Sequence, residues 1–260
     1  MPIVSLISLS PLVLTGAVAT APVRRAPDRP VRPKACVSSA DIARARSYAR
    51  GRPGRVSFAV YESGRIGSWG GGVSYRSASL VKAMLLVADL RRHDRLRAGL
   101  SSGARSRLSA MIRVSDNAQA SATFNLVGAN GLRSVARAAG MRNYTVAGYW
   151  GTSQLTASDQ ARFFGRLDGL LPARFRAYGR QLLRTVVPAQ TWGGAPVARR
   201  HGFKTVFKSG WLPRTDGWVV HQGLQVRRGR CKVGLAVLTG GQPSMATGVG
   251  SIRGVVERLL

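Results

Sequence analysis

The chain has 260 residues, and its forty Lys and Arg against ten Asp and Glu give a formal net charge of +30. Hydrophobic residues make up 45%, which excludes an intrinsically disordered chain and suffices for one large domain or two small ones. So strong a positive balance favours anionic surroundings.

Arginine is spread through every segment rather than clustered, which fits a solvated surface. No helix-turn-helix, zinc-finger or RNP pattern is present, so specific nucleic-acid binding is not expected. An anionic cell-envelope surface is the other candidate partner. His93, His201 and His221 are isolated, and Cys36 and Cys231 belong to no C-x-x-C pair. That spacing gives no metal site. The Gly runs at Gly70–Gly72 and Gly240-Gly241 lack the context of a phosphate loop, so no metal and no cofactor are expected.

Ile3 to Ala21 is nearly free of charge and ends in small residues. Residues 1–21 read as a signal peptide, cleaved after Ala17-Val18-Ala19 or Ala19-Thr20-Ala21, although the start carries no Lys or Arg. Pro11 and the shortness of the run argue against a membrane-spanning helix. The expectation is a protein secreted or held at the cell envelope. Residues 22–35 have the Pro/Arg-rich composition of a linker, and the folded part begins near Cys36. In an exported protein, Cys36 and Cys231 suit one disulfide closing a loop of about 195 residues. Two separate buried thiols are the alternative.

Ser38 to Arg50 reads as a helix with Ser39 as its cap. Arg55–Tyr61 alternates, Ser63-Gly64 is a turn and Ile66–Trp69 a second strand, giving a hairpin. The following patterns are helical: Leu80–Arg92, Gly103–Val114, Asn117–Leu126, Gly131–Ala139, Thr156–Leu170 and Pro172–Val187. Thr156 with Asp159 marks a helix start. Period two returns in Thr205–Trp211, Trp218–Val226 and Cys231–Leu238. Ile252, Val255, Val256 and Leu259 then mark a closing amphipathic helix.

This order predicts an α+β fold. A five-stranded antiparallel sheet takes strands from both chain ends (36–78 and 201–260), flanked by the N- and C-terminal helices. An all-helical subdomain (79–200) is inserted and lies against the other face. A monomer is expected, with an active site in the seam between sheet and helical block.

Three short segments carry chemistry. In Ser79-Leu80-Val81-Lys82 the serine opens an apolar helical run, and residues three apart share a helix face. A helix start presents free N–H groups and partial positive charge. A serine there, beside an amine able to take its proton, is an activated nucleophile. Ser115-Asp116-Asn117 falls between two predicted helices. Lys208-Ser209-Gly210 falls on the first strand after the helical block, running into Trp211.

In chain order these are S-x-x-K, S-D-N and K-S-G, the set that class A β-lactamases and penicillin-binding proteins carry with K-T-G third. From about Ser38 to Leu260 the chain resembles that serine-hydrolase superfamily, whose fold also divides into a sheet domain with a helical insert. The resemblance implies a Ser79 acyl-enzyme formed from an amide carbonyl, with Lys82 accepting the serine proton. It implies that Ser115 relays a proton to the leaving nitrogen and that Asn117 binds the substrate's side amide and Lys82. Lys208, with Ser209 and Gly210 beside it, would bind a substrate carboxylate. The N–H groups of Ser79 and Trp211 would form the oxyanion hole. The substrate class implied is a β-lactam or a D-alanyl-type cell-wall peptide.

The pattern departs from class A at one point. Those enzymes activate the deacylating water with a glutamate, whereas this chain has two glutamates, Glu62 and Glu257, far from the relevant stretch. No acid lies between Asn117 and Asp159, and Asp159 reads as a helix-start residue. The chain is also similar to actinobacterial exported serine hydrolases that share the segment Gly148-Tyr149-Trp150-Gly151 and the run Trp211-Leu212-Pro213-Arg214. The expected function is β-lactamase-like, with a D-Ala-D-Ala carboxypeptidase-like enzyme or a slowly deacylating penicillin-binding sensor as the alternative. A non-catalytic basic protein that binds the envelope is the alternative of another class.

Overall fold

The period-two segments pair into one antiparallel sheet. In the computed structural model, which describes residues 1–3, 35–146 and 148–260, its strands are β1 (Arg55–Glu62), β2 (Arg65–Trp69), β5 (Lys204–Arg214), β6 (Gly217–Arg228) and β7 (Cys231–Gln242). They lie in the order β2-β1-β7-β6-β5, so strands from the two chain ends meet where β1 pairs with β7. Nearly all of the expected signal peptide and of the expected linker lies outside the described residues. Residues 35–260 form one compact unit. Among the described residues, no helix is long and apolar enough to cross a membrane.

The hairpin turn between β1 and β2 is Ser63-Gly64, with φ of 47° and 84°. Two positive φ values in a two-residue loop give the turn whose twist suits a hairpin. Helix α1 (Ser39–Arg50) is capped by Ser38, not Ser39: the Ser38 hydroxyl accepts the Asp41 N–H, and the Asp41 carboxylate accepts the Ser38 N–H at 2.7 Å. Capping the chain one residue earlier lets both partners of the box close.

Both faces of the sheet are covered. On one face α1 and α9 (Met245–Leu259) bury Ala45, Ile252, Val255 and Val256 against Phe58, Leu235 and Val237. Helix α8 (Gly194–Arg200), unseen in the sequence, joins this core through Ala195, Val197 and Ala198. On the other face lie α2 (Lys82–Arg95), α3 (Ser102–Arg113), α4 (Asn117–Ala139), α5 (Ala157–Gly165), α6 (Leu167–Leu170) and α7 (Arg176–Arg184). Helix α4 joins the two expected helices across a break at Gly128, φ 63° and ψ −179°. The expected helix from Leu80 begins instead as a 3-10 turn, Ala78–Val81, and becomes α-helical at Lys82. A small second sheet pairs β3 (Ser74–Arg76) with β4 (Gln154–Thr156). Cys36 and Cys231 form a disulfide, Cα atoms 5.7 Å apart, tying the segment that leads into α1 to the start of β7.

Candidate active site

Ser79 sits in the 3-10 turn between β3 and α2, wedged against the edge strand β5. The approach is close because residue 210 is glycine: a Cβ there would fall 2.6 Å from the Leu80 nitrogen and 3.1 Å from the Ser79 nitrogen. Any larger side chain would push β5 off the turn that carries Ser79. Ala78, just before the serine, has φ 44°. Ser115, in the turn between α3 and α4, has φ 60°. Non-glycine residues in this region are strained, and such strain collects at functional sites.

Asp116 caps α4 by accepting the Gln119 N–H at 2.8 Å, which places Asn117 in the first turn. Lys82 is fully buried. Its amine donates to the Ser115 carbonyl at 2.5 Å, the Ser115 hydroxyl at 3.3 Å and Asn117 Oδ1 at 2.7 Å. Lys208, also fully buried, donates to the same Ser115 hydroxyl at 3.0 Å and to the Ser209 carbonyl at 2.8 Å. Burial lowers the Lys82 amine to about 8, against the opposing pull of Asp116. Burial, then the charge of Lys82, holds the Lys208 amine well below its usual range. Lys82 can therefore hold or release a proton near neutral pH.

Three of the expected segments therefore meet: Ser79 and Lys82, Ser115 and Asn117, and Lys208 and Gly210. Two expected details differ. Ser79 Oγ has no hydrogen bond within 3.5 Å, to Lys82 or to any other of the described residues. Ser209 is buried, and its hydroxyl accepts from Gln222 Nε2 at 3.0 Å across the β5–β6 pair. Trp211 packs edge-on against Trp192, ring centroids 5.9 Å apart.

Carboxylates hold other parts of the fold. Glu62 accepts the Cys36 N–H at 2.8 Å, and Glu257 pairs with Arg200 and His201. Asp159 is buried and accepts the Arg142 and Asn143 N–H groups, each at 2.8 Å. Among the described residues, no carboxylate oxygen is hydrogen-bonded to Lys82, Ser115 or Lys208. The indole of Trp150 occupies the other side of the Lys82 amine, 4.9 Å from ring centroid to Nζ, and is steered by Nε1–H donating to Ser121 Oγ at 3.1 Å. Trp150 and Gln222 were not singled out by local spacing; the Gly-Tyr-Trp-Gly segment was the one available signal for the first. Arg214, at the end of the shared run, is partnered by Asp216 at 2.8 Å. His221 is buried with both ring nitrogens bound to backbone groups, and no described set of three His, Cys, Asp or Glu could hold a metal.

No protein-family model matches the chain, and no curated protein matches it significantly. Solved structures do. The β-lactamase from Sphaerobacter thermophilus DSM 20745 superposes with a TM-score of 0.73 at 18% identity, over 85% of this chain and 96% of that one. PBP-A gives 0.71 at 18%, over 85% and 94%. The class A β-lactamase from Mycobacterium abscessus gives 0.70 at 17%, over 84% and 97%. The chain thus has the α+β β-lactamase-like fold, structurally similar to class A β-lactamases and PBP-A over most of its length.

Proposed function

We propose that the protein is a serine hydrolase acylated at Ser79 by a strained or D-alanyl-type amide, and that its acyl-enzyme is hydrolysed slowly. Ser79 Oγ attacks the carbonyl carbon while its proton passes to neutral Lys82. The tetrahedral intermediate collapses, the C–N bond breaks, and the leaving nitrogen takes a proton through Ser115. Water later attacks the ester, releasing the acid and restoring the serine. One observation carries the reading: Lys82, Ser115, Asn117 and Lys208, from three distant segments, converge on one another one turn from Ser79, and β5 approaches the Ser79 turn at Gly210.

Slow deacylation rests on Trp150. An indole lies against Lys82, and among the described residues no carboxylate is hydrogen-bonded to the group. Loss of a positioned general base typically costs about 10²–10⁴-fold in the step that it serves. That favours a penicillin-binding or carboxypeptidase-like enzyme over a fast β-lactamase. The disulfide fits an exported, oxidising setting.

Intact-protein mass spectrometry after benzylpenicillin exposure tests both parts. A covalent adduct on Ser79 that outlasts many nitrocefin-assay turnovers of an ordinary β-lactamase is expected. Rapid loss of the adduct with nitrocefin hydrolysis would favour the β-lactamase instead. No adduct, or an adduct unchanged in Ser79→Ala, would overturn the acyl-enzyme and favour a non-catalytic basic binder.

A further inference from the structure

We propose a second ligand site, remote from the Ser79 chemistry and independent of it, that binds a chain of linked phosphates. It is a cavity of about 550 Å³ whose lining includes Tyr61, Arg91, Arg166 and Lys232. That size is in the range of small-molecule pockets and exceeds what one orthophosphate fills. Its three cations come from three elements: Arg91 from α2, Arg166 from the junction of α5 and α6, and Lys232 from β7.

The two arginines are held in place before any ligand arrives, whereas Lys232 is exposed and reaches in from the rim. Arg91 Nε donates to the Leu170 carbonyl at 2.8 Å, and Arg166 Nε to the Tyr61 hydroxyl at 2.8 Å. Arg166 Nη1 also donates to the Ala139 carbonyl at 3.2 Å. Among the described residues, both Nη groups of Arg91 and Nη2 of Arg166 make no hydrogen bond. The Tyr61 oxygen is already an acceptor, so its own proton is left to donate. Burial, then the nearby charge of Arg95, disfavours the charged form of Arg91, and an anion would relieve both. Among the described residues no carboxylate lines the cavity, and Asp168, beside it, forms a long ion pair with Lys232 at 3.8 Å.

The walls keep the space open. Gly64 and Gly169 have no heavy atom within 4 Å of where a Cβ would stand. Planar guanidiniums fixed by Nε present their remaining N–H groups as forks, the geometry that matches phosphate oxygens. Fixing donors in advance lowers the ordering cost of binding.

Calorimetric titration of the full chain with tripolyphosphate at physiological salt tests this. One saturable site is expected, with orthophosphate at least about tenfold weaker. The variant Arg91→Gln/Arg166→Gln/Lys232→Gln should lose about tenfold or more. Arg184→Gln/Arg230→Gln/Arg253→Gln, which removes equal charge from exposed positions, should bind nearly as the parent does. Tyr61→Phe removes no charge and should weaken binding about 2- to 10-fold, so the site is testable even if the triple variant folds poorly. No saturable binding, equal losses in the two triple variants, or parental affinity in Tyr61→Phe overturns the proposal.

Discussion

Lys82 and Lys208 point at one oxygen: their amines lie 3.3 and 3.0 Å from Ser115 Oγ. Both are donors, so the serine oxygen uses its two lone pairs on them, and its own proton must point elsewhere. That is the arrangement a proton relay needs. Ser115→Ala removes the relay and leaves two buried amines short of an acceptor. Acylation by benzylpenicillin should slow about 10²–10⁴-fold, with a stability loss of about 1–3 kcal/mol. Stopped-flow adduct formation and urea unfolding measure the two. Unchanged acylation would remove Ser115 from the chemistry.

Lys82 sets the pH profile. Its amine is lowered to about 8, chiefly by burial. The base is the neutral form, so acylation should rise as pH climbs through about 8 and level off above it. Below that pH the rate should fall tenfold per unit. Lys82→Arg fixes a cation at the site and should abolish the rise. A flat profile between pH 6 and 9 in the parent would point to another base.

The reach of the sequence can be judged from particular residues. Ser79, Lys82, Ser115, Asn117 and Lys208 were singled out by the resemblance of three segments in chain order, since each segment alone is a weak signal; that Lys82, Ser115, Asn117 and Lys208 meet is a property of the fold. Alternation of large apolar residues in Arg55–Tyr61 and Cys231–Leu238 revealed the strands, although both faces are covered and nearly every residue in them is buried. Strands β3 and β4 have three residues each, too few for a period to register. Helix α8 spans seven residues and opens Gly-Ala-Pro, so its burial comes from tertiary packing alone. The contact of Trp150 with Lys82 depends on how a loop folds back over α2. The hold of Gln222 on Ser209 depends on cross-strand register. Neither is a local property of the chain.

Gly210 makes the proposed oxyanion hole of the Ser79 and Trp211 N–H groups testable without touching a side chain. A methyl at that position would meet the Leu80 nitrogen at 2.6 Å, so Gly210→Ala must separate β5 from the Ser79 turn. Small displacements of reacting groups cost about 10²-fold in rate. Acylation should fall by about that factor, while a strand-edge change costs about 1–3 kcal/mol of stability. Rates close to the parental value would mean that the two N–H groups do not act on the carbonyl together.

His221 links the site to acid stability. It pairs with Gly210 across β5 and β6. Its Nε2–H donates to the Arg76 carbonyl at 2.9 Å, and Nδ1 accepts the Thr239 N–H at 3.2 Å, so the neutral ring fits and the charged ring does not. Burial lowers it to about 4, against its hydrogen bonds to backbone, whereas an unfolded histidine titrates near 6.5. Between those values the unfolded chain takes up a proton that the folded chain refuses. Stability therefore rises with pH across that window and is lost as pH falls toward 4, by about 3 kcal/mol. His221→Gln keeps a donor and an acceptor but does not titrate. Urea unfolding from pH 7 down to 4 should show a shallower loss in the variant by about that amount. Equal acid slopes in parent and variant would mean that the proton the folded chain refuses is not the one on His221.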